Sequence, residues 1–151
     1  MDRSLANAML VSPTIQHVHG RLLSIIGTDP AAGAEISETV PARRRWIVRS
    51  IFLSLATDVT VAVRRIRLII DDGTNTLLEF HLATTQTASL TYYYSFCNIA
   101  AQETLVGSRC FAPLPIFSLP AGSRIYTVTS DIKAGDNFGA PQLLVEEWID
   151  P

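Results

Sequence analysis

Residues 46–71 read WIVRSIFLSLATDVTVAVRRIRLIID. Two runs rich in β-branched, aliphatic and aromatic residues flank Thr57 and Asp58, a composition that favours extended strands over helices. Taken as a tight hairpin turning about Asp58, the register sets Ile47 opposite Ile69, Arg49 opposite Arg67, Ile51 opposite Arg65, Leu53 opposite Val63 and Leu55 opposite Val61. The other face then carries Trp46, Val48, Phe52, Ile66, Leu68 and Ile70, together with Ser50, Ser54, Ala62 and Arg64, and is the expected core face. Both faces are substantially apolar, although a sheet with one wetted side should alternate cleanly. The face bearing Ile47, Arg49, Ile51, Leu53, Leu55, Val61, Val63, Arg65 and Arg67 is therefore expected to meet a protein partner. Its guanidinium groups need carboxylates or solvent, since an unpaired buried charge is costly, and Arg65 and Arg67 snorkelling to water from a partly covered face is the plain alternative. Glu146, Glu147 and Asp150 near the C-terminus are the expected suppliers, from the same chain or a neighbour.

Outward from this segment, turn signals recur every 8 to 15 residues. Strands are expected over 18–26, 35–40, 46–56, 59–71, 76–83, 89–97, 109–119, 123–132 and 142–149. The 109–119 stretch is interrupted by Pro113 and Pro115 and reads as an edge or irregular strand. DDGTNT (71–76) reads as a hairpin turn, LPAGS (119–123) as a turn in which Gly122 takes a positive φ, and 98–107 as a loop with room for a helical turn. The pattern implies an all-β protein: a single β-sandwich or jelly-roll-like domain over 15–151, preceded by an extended N-terminal arm over 1–14.

Apolar residues make up 48% and charged residues 17% of the 151 residues, a charged share below the usual quarter. A surface short of charge is relieved by oligomerisation or by docking on a larger body. Of the 12 basic residues all but Lys133 are arginine, the cation that suits interfaces; genomic base composition would explain the same bias. The net charge of −2 disfavours general adhesion to nucleic acid. Cys97 and Cys110 supply neither a metal set nor a disulfide framework and are expected as free thiols. The first residues lack a basic start followed by a long apolar run, and no run approaches the roughly 18 apolar residues of a membrane span. The expectation is assembly in a cytoplasm, away from membranes.

Other constellations have plain readings. Arg43–Arg45 could grip phosphate but fit a solvated rim. His17 and His19 share a strand face, yet no further ligand type completes a metal site. Tyr92, Tyr94 and Phe96 share one face and Tyr93 the other, which is ordinary sheet filling, with a stacking platform for sugars as the sharper alternative. Asp71–Asp72–Gly73 lacks the later ligands of a calcium loop. GTDPAAGAE (27–35) lacks a strand–loop–helix context for phosphate. No nucleophile–base arrangement presents itself. The protein is expected to be non-enzymatic and to carry no cofactor or metal.

The segments VPARRRWIVRSIFLSL (40–55), RLIIDDG (67–73) and above all SLPAGSRIYTVTSDIKAGDNFGAPQLLVEEW (118–148) resemble small structural proteins of tailed bacteriophages. There a Pro-x-Gly turn and a later Gly-Asp pair precede a Val-Glu-Glu-Trp strand, matched here by Pro120, Gly122, Gly135, Asp136 and Val145–Trp148; Phe138 stands where that pattern has tryptophan. The resemblance spans roughly residues 40–149 and carries over no functional residue. It implies a virion component assembled in the host cytoplasm: a capsid cement or decoration protein, associating with itself as an oligomer, a trimer being favoured, and binding the major capsid protein or another virion protein. A neck, tail or head-fibre component, and a carbohydrate-binding sandwich, are the alternatives.

Overall fold

The computed structural model describes residues 20–149. The arm expected over 1–14, the His17–His19 pair and Asp150 lie outside the described residues. Within them the protein is all-β, with twelve strands and no helix. These are β1 (Arg21–Ile26), β2 (Ser37–Thr39), β3 (Arg44–Ala56), β4 (Arg65–Asp71), β5 (Thr76–His81), β6 (Thr91–Cys97), β7 (Thr104–Val106), β8 (Arg109–Pro113), β9 (Ser118–Leu119), β10 (Arg124–Ser130), β11 (Asn137–Phe138) and β12 (Gln142–Ile149). They form two open sheets. The larger runs β1-β12-β3-β6-β8-β7, with β9 and β11 attached to β3; the smaller runs β2-β10-β4-β5. Neighbours are antiparallel except for the parallel pair β6–β8.

The expected hairpin does not form. β3 pairs with β12 and β6 in the larger sheet, whereas β4 pairs with β10 and β5 in the smaller one. Residues 57–64 therefore carry the chain from one sheet to the other, and the second strand starts at Arg65 rather than Val59. Thr57 and Asp58 are anchors in this crossing, not turn residues. Thr57 N–H and Oγ1 bond Leu90 O, and Oγ1 also bonds Thr87 O. Asp58 N–H bonds the Asp136 carboxylate at 2.9 Å.

The faces of β3 also depart from simple alternation. Val48 pairs with Val145 but Ser50 pairs with Leu144, so Arg49 is an extra residue, a β-bulge. The bulge reverses the phase of the alternation. Trp46 and Val48 before it, and Ile51, Leu53 and Leu55 after it, all point into the same core. Ile51, Leu53 and Leu55 are at most 1% exposed, so they belong to the core and not to a contact face. Phe52, assigned to the core from simple alternation, is only half-buried and lies outside.

One apolar cluster joins the sheets. β3, β6 and β12 contribute Trp46, Val48, Ile51, Leu53, Leu55, Tyr94, Phe96, Leu143 and Val145, facing Ile66, Leu68, Ile70 and Ile125 of β4 and β10. Phe80 of the smaller sheet meets Phe96 of the larger edge to face, with centroids 6.2 Å apart. This packing is sandwich-like. The β4–β5 turn is built as its sequence demands: the Asp72 carboxylate accepts the Thr74 and Asn75 amides, and Gly73 sits at φ 92°. In LPAGS, Gly122 takes φ 86°, and its N–H bonds Val40 O. The 98–107 loop holds β7, a short strand, in place of a helical turn.

Candidate interaction surfaces

The three arginines of VRRIR have three different fates. Arg64 is fully buried and all five of its N–H groups are satisfied. Nε and Nη2 make a bidentate pair with Asp136 at 2.8 Å each; Nη2 also reaches Asp58 at 2.8 Å, and Nη1 bonds the carbonyls of Thr60 and Ala62. Asp136 is equally buried, and its oxygens also accept the amides of Asp58 and Lys133. Burial alone would raise the Asp136 pKa, but the hydrogen bonds from Arg64 and the two amides, with the Arg64 charge, outweigh it and hold the carboxyl below its ordinary value. Gly135 is required beside this cluster, because a Cβ there would stand 2.7 Å from Asp58 Oδ2. The cluster is structural: it locks the crossing 57–64 to the 132–136 turn. Gln86 continues it, exchanging backbone hydrogen bonds with Arg64 while its buried amide bonds Leu55 O, Leu90 O and the Tyr94 hydroxyl.

Arg65 and Arg67 lie on the outer face of the smaller sheet. Arg67 Nη1 and His81 Nε2 share Glu79 Oε1, each at 2.8 Å. On the same face Arg124 pairs with both oxygens of buried Asp71 and stacks over Tyr126. The hydrogen bond from Arg124, against the cost of burial and helped by the Gly73 amide, lowers the Asp71 pKa.

The remaining residues of the expected contact face are dispersed. Arg49, in the bulge, pairs with Glu146 of its own chain at 2.6 Å. Glu147 accepts Trp46 Nε1 at 3.0 Å and lies 3.8 Å from Arg44. Ile47 is half-buried on the outer face of the larger sheet, opposite Glu146, whereas Val61 and Val63 are exposed in the crossing segment. A single face uniting these residues with Ile51, Leu53 and Leu55 does not exist, because they divide among the core, both outer faces and the crossing.

What sequence reasoning missed is the outer face of the larger sheet. The register brings Leu22, Ser24 and Ile26 of β1, Leu144 of β12, Ser50, Phe52 and Ser54 of β3, Tyr93, Ser95 and Cys97 of β6, and Phe111 of β8 to one side. Leu22 and Ile26 are 62% and 74% exposed. Phe52 stacks on Tyr93 with centroids 6.0 Å apart, and Arg109 lies over the Tyr93 ring. Its charges are few: Arg49 and Glu146 neutralise one another, and Arg109 is held on an aromatic ring. The signal in the sequence was the adjacent polar pair Arg49–Ser50, which breaks the alternation of β3 and moves Phe52 outward.

Tyr94 and Phe96 are core residues and Tyr93 is not, the division expected from alternation. Burial pushes the Tyr94 hydroxyl far above its ordinary pKa. Among the described residues no group of three or more His, Cys, Asp or Glu side chains is arranged to hold a metal ion.

No protein-family model matches the chain, and no curated protein matches it. Among solved structures, dimeric latent PorU from Porphyromonas gingivalis is similar at 10% identity with a TM-score of 0.39, over 84% of this chain and 12% of that one. The chain thus spans about an eighth of that protein's length, and likeness at this level carries no argument about function.

Proposed function

We propose that this is a non-enzymatic structural protein of a bacteriophage particle, a cement or decoration protein that associates with itself as a trimer and holds to the outer head shell. The observation that carries the reading is the outer face of the larger sheet. Its exposed leucine, isoleucine and aromatic side chains, with almost no uncompensated charge, are what a buried interface needs and what a lone soluble chain avoids. Closed symmetry would cover such a face on every copy, and repetition over a shell would multiply weak contacts. The resemblance across 118–148 supplies the biological setting.

The test is the solution mass of the full chain by light scattering after size exclusion. The expected mass is three times the 16.5 kDa of the chain. Phe52→Glu, on the outer face, should reduce it to one chain that keeps the wild-type far-ultraviolet circular dichroism, since the residue lies outside the apolar core. A wild-type monomer at high concentration would sink the self-association. Sedimentation with purified head shells then tests the shell contact. Binding to neck, tail or fibre fractions instead would move the protein elsewhere in the particle.

A further inference from the structure

The crossing segment and the outer face of the smaller sheet meet at a cleft of about 410 Å³ lined by Val63, Arg65, Arg67, His81 and Ser130. Ser130 Oγ accepts the Arg65 amide at 3.0 Å, fixing the backbone at its floor. Glu79 answers Arg67 and His81, whereas the exposed Arg65 guanidinium has no carboxylate among the described residues. The cleft therefore keeps an unneutralised positive charge.

The flank of the cleft is unusual in a second way. Val59, Val61 and Val63 are 83%, 92% and 51% exposed. They occupy alternate positions of a stretch that joins neither sheet. Arg64 holds it taut by bonding the carbonyls of Thr60 and Ala62 from the inner side. The N–H groups of Val61, Ala62 and Val63 have no partner among the described residues. Backbone donors left free beside a row of exposed valines are the receiving half of a strand-addition contact.

We infer that an extended segment of a partner protein, alternating apolar and acidic residues, docks along Val59–Arg65. Its carbonyls take the amides of Val61 and Val63, its apolar side chains cover the valines, and one of its carboxylates seats beside Arg65 at the mouth of the cleft. Charge-assisted pairing with a guanidinium gives that carboxylate its selectivity. Nucleic acid fits poorly, because its affinity comes from many phosphates met by many cations. Here one uncompensated arginine stands among valines, and Glu79 repels a second anion. This surface is separate from the outer face of the larger sheet and does not depend on self-association.

The test is an amide-shift titration of the isotope-labelled full chain with the peptide acetyl-Val-Glu-Val-Glu-Val-amide. The expected result is saturable shifts at Val61, Ala62, Val63, Arg65 and Ser130. Replacing both glutamates of the peptide by glutamine should weaken binding roughly tenfold or more, the scale of one charge-assisted contact. Arg65→Gln should weaken it by a similar factor while leaving the chain's solution mass and thermal midpoint unchanged. No shift at roughly millimolar peptide, equal binding of the glutamine peptide, or tighter binding of an oligothymidylate than of the glutamate peptide would each overturn the inference.

Discussion

Asp136→Ala is expected to lose about 3–5 kcal/mol of folding stability, the usual consequence of removing one partner from a buried ion pair. Urea unfolding at neutral pH reads this directly. Against a whole-domain stability of about 5–15 kcal/mol, such a loss lowers Tm by roughly 10 °C. The physical cause is Arg64, fully buried with Asp136 taking two of its five hydrogen bonds. Once the carboxylate is gone, the charge stays in the interior with only the partly exposed Asp58 for compensation. The amides of Asp58 and Lys133 are orphaned at the same time. Arg64→Met combined with Asp136→Leu should recover part of the loss, with a coupling energy of about 2–3 kcal/mol, but not all of it, because those two amides stay unpaired. A loss below about 1 kcal/mol for the single change would mean that the cluster does not hold the crossing.

The same carboxylate dictates a pH dependence. Its folded pKa lies below the unfolded value, so its stabilisation is complete above the unfolded pKa of about 4 and fades as pH falls through the folded pKa. Asp71, lowered by Arg124, acts with the same sign. Asp136→Asn should therefore unfold more easily at neutral pH, yet show a shallower further decline below about pH 4 than the wild type. An unchanged acid slope would remove Asp136 from the account.

The second large effect separates two residues that a simple hairpin would place opposite one another. Leu55→Ala should cost about 2–5 kcal/mol, the range for emptying a buried leucine site, while Val61→Ala should stay within about 0.5 kcal/mol. Leu55 has no exposed surface and Val61 is 92% exposed. Chemical denaturation of the two variants side by side decides it. Similar losses at both positions would place Val61 in a packed face and revive the direct β3–β4 pairing.

The strands themselves were readable, because period-two patterning, β-branched runs and the DDG and PAG turns are local signals that act within a few residues. The expected 142–149 strand coincides with β12, and the expected 46–56 strand differs from β3 only by the two added arginines at its start. The division between core and surface was readable wherever alternation runs unbroken, as in Tyr92–Phe96. It failed at Arg49, where one bulged residue inverted every later assignment in β3.

Three matters were decided only by tertiary structure. β3 and β4 separate into different sheets, because partners far along the chain, β12 and β10, compete for their edges and no two-residue turn chemistry enforces a local hairpin. Arg64 becomes a buried structural cation, because Asp136, 72 residues away, arrives to satisfy it. The apolar outer face exists only because the register stacks Leu22, Leu144, Phe52, Tyr93 and Phe111 from five strands on one side. Local composition determines which segments extend. Which edges they share, and which charges they bury, depends on contacts whose free energy appears only when distant segments meet.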